Sequence, residues 1–360
     1  MTKKLSIIAS GLLISSTMAF GADSIDGAFK EGKVSGALDA YYTTTDADSG
    51  DSGFSSAGVS LSYETAPYNG FSGKVGFVAA SEISEENTGD SDDIANDSIL
   101  SEASITYASD VVGITLGRQA VDFEWIGDYH EAVVASTSAI PNTALTILYT
   151  DKSAVAGVDE ISSEFADVNG TKGAYVLDAK IALAEEIELN PYFYSFTDVA
   201  DYYGGKVSYS SDMFGAMAHY AASNEDTTTD DGSLIALELS TEVSGLSLAA
   251  GYIKTDKDGG IGSMASLGDN YEPMDDGSAI YEADAKMMYA SVGYSIAGVD
   301  LGLAYAQTKI DSDKDKELNV TADYGFTDSL SGSLLYVDID AETTATEDQS
   351  YFIASLNYSF

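Results

Sequence analysis

The sequence predicts an all-β protein, a transmembrane antiparallel β-barrel of eighteen strands, with sixteen as the alternative count. Three observations carry this expectation. Apolar and polar residues alternate along most of the chain in segments of about ten residues, the period-2 pattern of strands between two environments. The connections between those segments alternate long and short. Beyond the N-terminal segment, no apolar run reaches the ~20 residues a membrane helix needs. A membrane crossing would therefore require a closed barrel, which satisfies its backbone groups internally.

The first residues, MTKKLSIIASGLLISSTMAFGAD, stand apart from that pattern. Lys3 and Lys4 precede an apolar stretch from Leu5 to about Ile14, and Ala19-Phe20-Gly21 gives a small-x-small ending. Residues 1–21 are expected to be a secretory signal peptide, removed to leave a single barrel domain over 22–360. The chain has no cysteine, so neither a disulfide framework nor a thiolate site can form. Without Lys3 and Lys4, 14 of the 16 basic residues remain against 59 acids, a net of −45. Such acidity often marks disorder. Here 44% hydrophobic residues, with 24 Tyr and 13 Phe, supply enough apolar surface to bury or insert.

The strands are expected in order as follows. The first lie near 33–44, 55–66, 71–81 and 98–108. The next, 112–118, alternates Val112, Ile114 and Leu116 with Gly113, Thr115 and Gly117. Segments 130–137, 143–151, 173–184, 187–197, 201–210 and 213–222 follow. Pro191 weakens 187–197, and 130–137 and 201–210 alternate poorly, which is why sixteen strands stay open. Ile235, Leu237 and Leu239 mark 233–243, and Leu246, Leu248, Ala250 and Tyr252 mark 245–255. Then come 283–296, 299–309 with Val299, Leu301, Leu303 and Tyr305, 317–326, and 329–338. The last, SYFIASLNYSF at 350–360, sets Phe352, Ala354, Leu356, Tyr358 and Phe360 on one face. Tyr358 and Phe360 suit an aromatic girdle and the assembly signal read by barrel-assembly machinery.

The connections give an orientation. Those at 45–54, 82–97, 152–172, 223–232 and 256–282 are long. Pro67–Gly70, Ser109–Val111, Ser211–Asp212, Ser244 and Ala297–Gly298 are short, and the link near 198–200 breaks the rule. Outer-membrane barrels of Gram-negative cells have short periplasmic turns and long extracellular loops. The segments 45–54, 82–97, 223–232 and 255–282 hold 21 acids and one lysine, Lys257. Acids are nearly absent from the apolar stripes, as lipid contact requires.

Three stretches carry a family resemblance: IDGAFKEGKVSGALDAYY (Ile25–Tyr42), LGRQAVDFEWIGDYHEAVVAS (Leu116–Ser136) and AIPNTALTILYTD (Ala139–Asp151). They resemble the OprD-like outer-membrane porins, particularly the versions of epsilon-class proteobacteria. In those, a Gly-Arg-Gln strand end enters an inward-folded third loop, and an Ile-Pro-Asn-Thr turn precedes the next strand. The resemblance covers roughly 65 residues. It implies an eighteen-stranded barrel, often a homotrimer, that admits small hydrophilic solutes. Better-known members line the channel with arginines that handle carboxylates. This chain has only Arg118, so such a ladder is not expected.

Arg118 shares the parity of Ile114 and Leu116, which leaves two readings: it turns into the lumen, or it snorkels at the interface. Asp122, Glu124 and Asp128, with Phe123, Trp125 and Tyr129, are the candidates for a pore constriction that attracts cations; an ordinary surface loop is the other reading. IDSDKDKE (Ile310–Glu317) spaces Asp311, Asp313, Asp315 and Glu317 two apart. Lys316 replaces the glycine of an EF-hand loop, which leaves either a loose divalent-cation site or a solvated hairpin loop. His130 and His219 are the only histidines and form no catalytic pattern with a nucleophile; no phosphate loop or basic nucleic-acid motif is present.

The expected protein is a non-enzymatic diffusion porin with a cation-leaning channel. Its surroundings are outer-membrane lipid and lipopolysaccharide, and its permeants small hydrophilic solutes and cations. It needs no cofactor beyond loosely held Ca²⁺ or Mg²⁺ at the outer loops. A barrel-anchored adhesin and a secreted soluble β-sandwich are the rival readings.

Overall fold

The computed structural model describes residues 21–226, 230–267 and 271–360, so the expected leader lies outside the described residues apart from Gly21. A short helix, α1 (Ile25–Lys30), begins where Ser24 Oγ accepts the Gly27 N–H at 3.0 Å. The strands that follow are β1 (Lys33–Ala47), β2 (Ser52–Glu64), β3 (Phe71–Glu85), β4 (Ser98–Ala108), β5 (Val112–Ala120) and β6 (Tyr129–Thr137). Next come β7 (Thr143–Ala154), β8 (Ala174–Ala184), β9 (Ile187–Phe196), β10 (Ala200–Ser210), β11 (Phe214–Glu225) and β12 (Ser233–Val243). The last six are β13 (Leu246–Thr255), β14 (Lys286–Ile296), β15 (Val299–Ile310), β16 (Asp313–Gly325), β17 (Leu330–Asp340) and β18 (Gln349–Ser359). A further two-residue strand, Ala166–Asp167, pairs with β7 from within the next loop.

Each barrel strand is antiparallel to its neighbours in sequence, and β18 returns to β1 with Ser359 opposite Ala37. Gly36 and Phe360 then exchange both backbone hydrogen bonds at 3.0 Å. Closure leaves no unpaired edge, so an eighteen-strand barrel can sit in lipid. Among the described residues, no helix is long and apolar enough to cross a membrane.

All three doubtful segments are strands. Pro191 of β9 lies opposite Gly205, and the ladder to β8 lapses at Asn190 and Pro191. Asn190 Nδ2 bridges that lapse by donating to Asp178 Oδ2 at 2.8 Å and to the Ala179 carbonyl at 3.0 Å. The weak alternation of β6 and β10 has another cause: their inner faces are apolar too. Val134 and Tyr202 point inward and are 2% exposed, while Val133 and Tyr203 point outward. Alternation fades where both environments are apolar.

Tight turns close the periplasmic end. At Asn69–Gly70, Ser244–Gly245 and Ala297–Gly298 both residues have positive φ, the conformation that matches strand twist in a short hairpin. The loop rule fails at three places on the outer side: the link expected to be long at 45–54 is only four residues, 48–51, because β1 and β2 extend into it. The link between β9 and β10 is three residues long, 197–199, as the sequence suggested. The link between β15 and β16 is only Asp311–Ser312, so Ile310–Glu317 is not a solvated loop. Its D-K-D-K-E alternation is a strand with acids inward and lysines outward, a pattern of sign that hydropathy does not register.

Candidate channel constriction

The loop of residues 121–128 turns inward. Val121 N–H donates to the Asp128 carbonyl and Phe123 N–H to the Ile126 carbonyl, both at 2.8 Å, so the β5–β6 ladder continues into a narrow hairpin. Asp128 takes a left-handed φ of 66°, which Asp tolerates better than most residues. The tip is buried: Trp125 and Ile126 are both 0% exposed. Trp125 therefore belongs to the barrel interior and not to an aromatic girdle.

The far wall receives that tip. Trp125 Nε1–H donates to Tyr192 Oη at 3.1 Å, and its ring lies over the His219 ring with centroids 6.2 Å apart. Tyr192 Oη is 2.7 Å from His219 Nε2. Glu124 Oε2 meets Lys206 Nζ at 2.6 Å, and its other oxygen is 3.6 Å from His219 Nδ1. Tyr271, from the loop of residues 256–285, packs against His219 and hydrogen-bonds Tyr289 Oη at 3.0 Å. Tyr289 in turn donates to Glu238 at 2.7 Å. The network thus spans β9, β10, β11, β12 and β14.

Around it, the two inward loops and the inner faces of β6–β15 form one apolar cluster. Half the barrel is filled. The opposite side stays polar and open, with adjoining cavities of about 330 and 120 Å³ that share Asn357. Serines dominate these walls: Ser35, Ser60 and Ser62 in the larger, and Ser331, Ser333 and Ser355 in the smaller. Lys74 faces the larger cavity but is held by Glu102 at 2.8 Å.

A third inward loop, 155–173, narrows the open side from above. Ser56 Oγ donates to the Val158 carbonyl at 2.6 Å, and a side chain at Gly58 would meet the Val158 methyl at 3.0 Å. This seats Asp159 and Glu160 over the inner face of β2. Both present accessible carboxylates to the lumen, while the surrounding wall withdraws bulk water. That withdrawal, then the Asp93 charge, pushes the Asp159 carboxyl above its ordinary range. The same withdrawal, with Asp93, Asp159 and Asp128, raises Glu160.

The residues singled out in the sequence separate into groups. Glu124, Trp125 and Asp128 belong to the inward hairpin; Asp122 is an exposed residue of it, and Tyr129 faces the larger cavity. Arg118 lies between the barrel wall and the inward loop 155–173. The β4–β5 ladder ends at Ala103–Arg118, just past Gly117 with its φ of 115°. There the Arg118 side chain bridges the opening: it donates to Glu131 and to the Leu100 carbonyl at 3.1 Å, and stacks on Phe165 at 4.2 Å. It pins wall to loop.

Asp311, Asp313, Asp315 and Glu317 do not converge, and no metal-holding group of three acids or histidines occurs among the described residues. Asp311 is in the tight turn, and the other three lie along β16. Asp315 accepts the Glu342 and Thr343 N–H groups at 2.8 Å, tying down the loop of residues 341–348. Glu317 accepts the Asp276 and Gly277 N–H groups at 3.0 Å and anchors the loop of residues 256–285. Tyr358 and Phe360 point outward at the closing seam, 44% and 53% exposed. Sequence reading missed Tyr192, Lys206, Tyr271 and Tyr289. The available signal was the run of inward-parity aromatics Tyr192, Tyr194 and Phe196.

A closed barrel with loops folded into an incompletely filled lumen defines a membrane channel protein. The family model for the Gram-negative porin matches residues 9–339, and the chain belongs to that family. Solved structures share the fold. Acinetobacter baumannii OccAB4 aligns with a TM-score of 0.75 at 16% identity, over 92% of this chain and 98% of that one. Pseudomonas aeruginosa OpdK, solved with vanillate, gives 0.75 at 12% over 93% and 100%. Pseudomonas aeruginosa OccK8 (OprE) gives 0.74 at 11% over 92% and 98%. No curated protein matches the sequence. The protein is an outer-membrane porin-family channel for small solutes.

Proposed function

We propose that the channel prefers cations, conducting them and small hydrophilic solutes along the serine-lined side of the barrel. One observation carries this reading: the acids over the open side are not neutralised in the way Glu124 is. Glu124 pairs with Lys206 on the filled side, whereas Asp159 and Glu160 have further acids, Asp93 and Asp128, as their electrostatic neighbours. Carboxylates on a narrow aqueous path raise the local cation concentration and exclude anions. The lack of an arginine ladder, with Arg118 bound in the wall, supports the same preference.

Zero-current potentials across a planar bilayer in a potassium chloride gradient test this. Potassium is expected to be preferred, with the preference shrinking as salt rises. Asp159→Asn with Glu160→Gln is expected to reduce it more than neutralising the outer-loop acids Asp226 and Asp230. Chloride preference in the native protein, or no difference between the two variants, would contradict the proposal.

A further inference from the structure

The barrel's outward face carries a feature at odds with its charge. Lys254 of β13 stands directly opposite Lys286 of β14, Lys286 opposite Lys309 of β15, and Lys309 opposite Lys314 of β16. Four adjacent strands thus bear four lysines in one cross-strand row about 14 Å long at ordinary strand spacing. Their parity is lipid-facing: it is that of Tyr252, Met288, Tyr305 and Val320. The next row toward the membrane is Tyr252, Met288, Gln307 and Lys316, so the lysines stand where the apolar band gives out at the extracellular end.

Like charges directly opposite each other on a sheet are destabilising. A chain with 59 acids could easily supply partners, yet it supplies few here. Lys286 meets Asp284 at 2.8 Å, and Lys316 meets Asp340 at 2.6 Å. Lys254, Lys309 and Lys314 make no ion pair among the described residues. Asp338 and Asp340, outward on β17, border the row on one side, and Ile235 of β12 borders it on the other. The geometry is of a basic strip at the outer lipid boundary whose neighbouring acids Asp256 and Asp284 lie at its Lys254–Lys286 end.

We infer that this strip binds the phosphorylated headgroup of a glycolipid in the outer leaflet, the lysine row spanning more than one phosphate. The level selects a lipid, because the stems of these lysines lie along the surface that faces acyl chains while their ammonium groups reach the headgroup layer. Multiple phosphates suit a row better than a single carboxylate does. The inference rests on the barrel's orientation, not on what the pore conducts, so it and the cation preference can fail separately.

The test is native mass spectrometry of the detergent-solubilised barrel titrated with a diphosphorylated glycolipid, the same lipid dephosphorylated, and inorganic phosphate. EDTA is present throughout, so that divalent bridging to the acidic loops does not contribute. The variant carries Lys254→Gln, Lys286→Gln, Lys309→Gln and Lys314→Gln; its control carries Lys30→Gln, Lys33→Gln and Lys172→Gln. Heat-modifiable gel migration verifies that both fold. The native protein and the control are expected to retain the diphosphorylated lipid about tenfold or more better than the four-lysine variant. Dephosphorylated lipid should bind all three alike and weakly, and millimolar inorganic phosphate should not displace the lipid. Equal retention by variant and native protein, equal binding of the dephosphorylated lipid, or displacement by free phosphate would overturn the inference. Melting in lipid-free neutral detergent adds a second readout. Relief of repulsion predicts that the variant melts no lower than the native protein; a clear drop would mean the chain's own acids already hold the lysines, and would also overturn it.

Discussion

At the scale of residues, selectivity depends on which acids have partners. Glu124 seemed from the sequence to be a free carboxylate in the passage, but Lys206 neutralises it, and the pair's side chains are only 12% and 26% exposed. Lys206→Met leaves a charge without its counter-ion and is expected to cost on the order of 2 kcal/mol, less than the ~3–5 for a fully buried pair. It should raise cation preference, Glu124→Gln should lower it, and the double variant should return near the native value. Zero-current potentials across this cycle check the coupling. Asp159 and Glu160 behave differently, since burial and neighbouring acids raise both above the ordinary 3.8 and 4.5. Between those values and the raised ones the folded protein holds more protons than the unfolded chain, so stability falls as pH rises through that window. Acidification from neutral pH into that window should therefore relax the repulsion and weaken cation preference. Asp159→Asn with Glu160→Gln should flatten that dependence, and an unchanged pH profile in the variant would count against these two groups.

At the scale of elements, the inward loops are held by carboxylates on strands. Glu317 accepts two N–H groups of the 256–285 loop. Glu317→Ala leaves both donors without their charged acceptor, at about 1.5–3 kcal/mol per charge-assisted bond. The expected outcome is a noisier, larger single-channel conductance and faster protease cleavage within 256–285, with strand content by circular dichroism unchanged. The sequence disclosed the strands, their orientation and the inward hairpin, because these leave local signals in period, loop length and motif. It did not disclose what the hairpin meets. Trp125 finds Tyr192 and His219 across the barrel, a contact between residues far apart in the chain with no local signature. The same limit hid the roles of Asp315 and Glu317. Their spacing suggested a cation site, whereas alternation along β16 sends both inward to bind backbone amides.

At the scale of the whole molecule, closure and filling decide whether a path exists. The seam closes through Phe360, whose backbone pairs with Gly36 while its ring faces lipid. Deleting Phe360 or making Phe360→Asp should lower the heat-modifiable fraction in outer membranes severalfold, since a charge near the bilayer boundary and two lost bonds act together. Filling is the more consequential property. Loops occupy the side bounded by β6–β15, and water keeps the serine-lined side. Because the protein has no cysteine, single cysteines can map that division in conducting channels. Ser62→Cys lies on the wall of the open cavity, and Ala236→Cys lies on the inner face of β12 at 0% exposure. The predicted result is that a thiol reagent added to a single open channel lowers the conductance of Ser62→Cys, faster with a cationic reagent than with an anionic one, and leaves Ala236→Cys unaffected. Block at Ala236→Cys with none at Ser62→Cys, or faster reaction with the anionic reagent, would contradict the account.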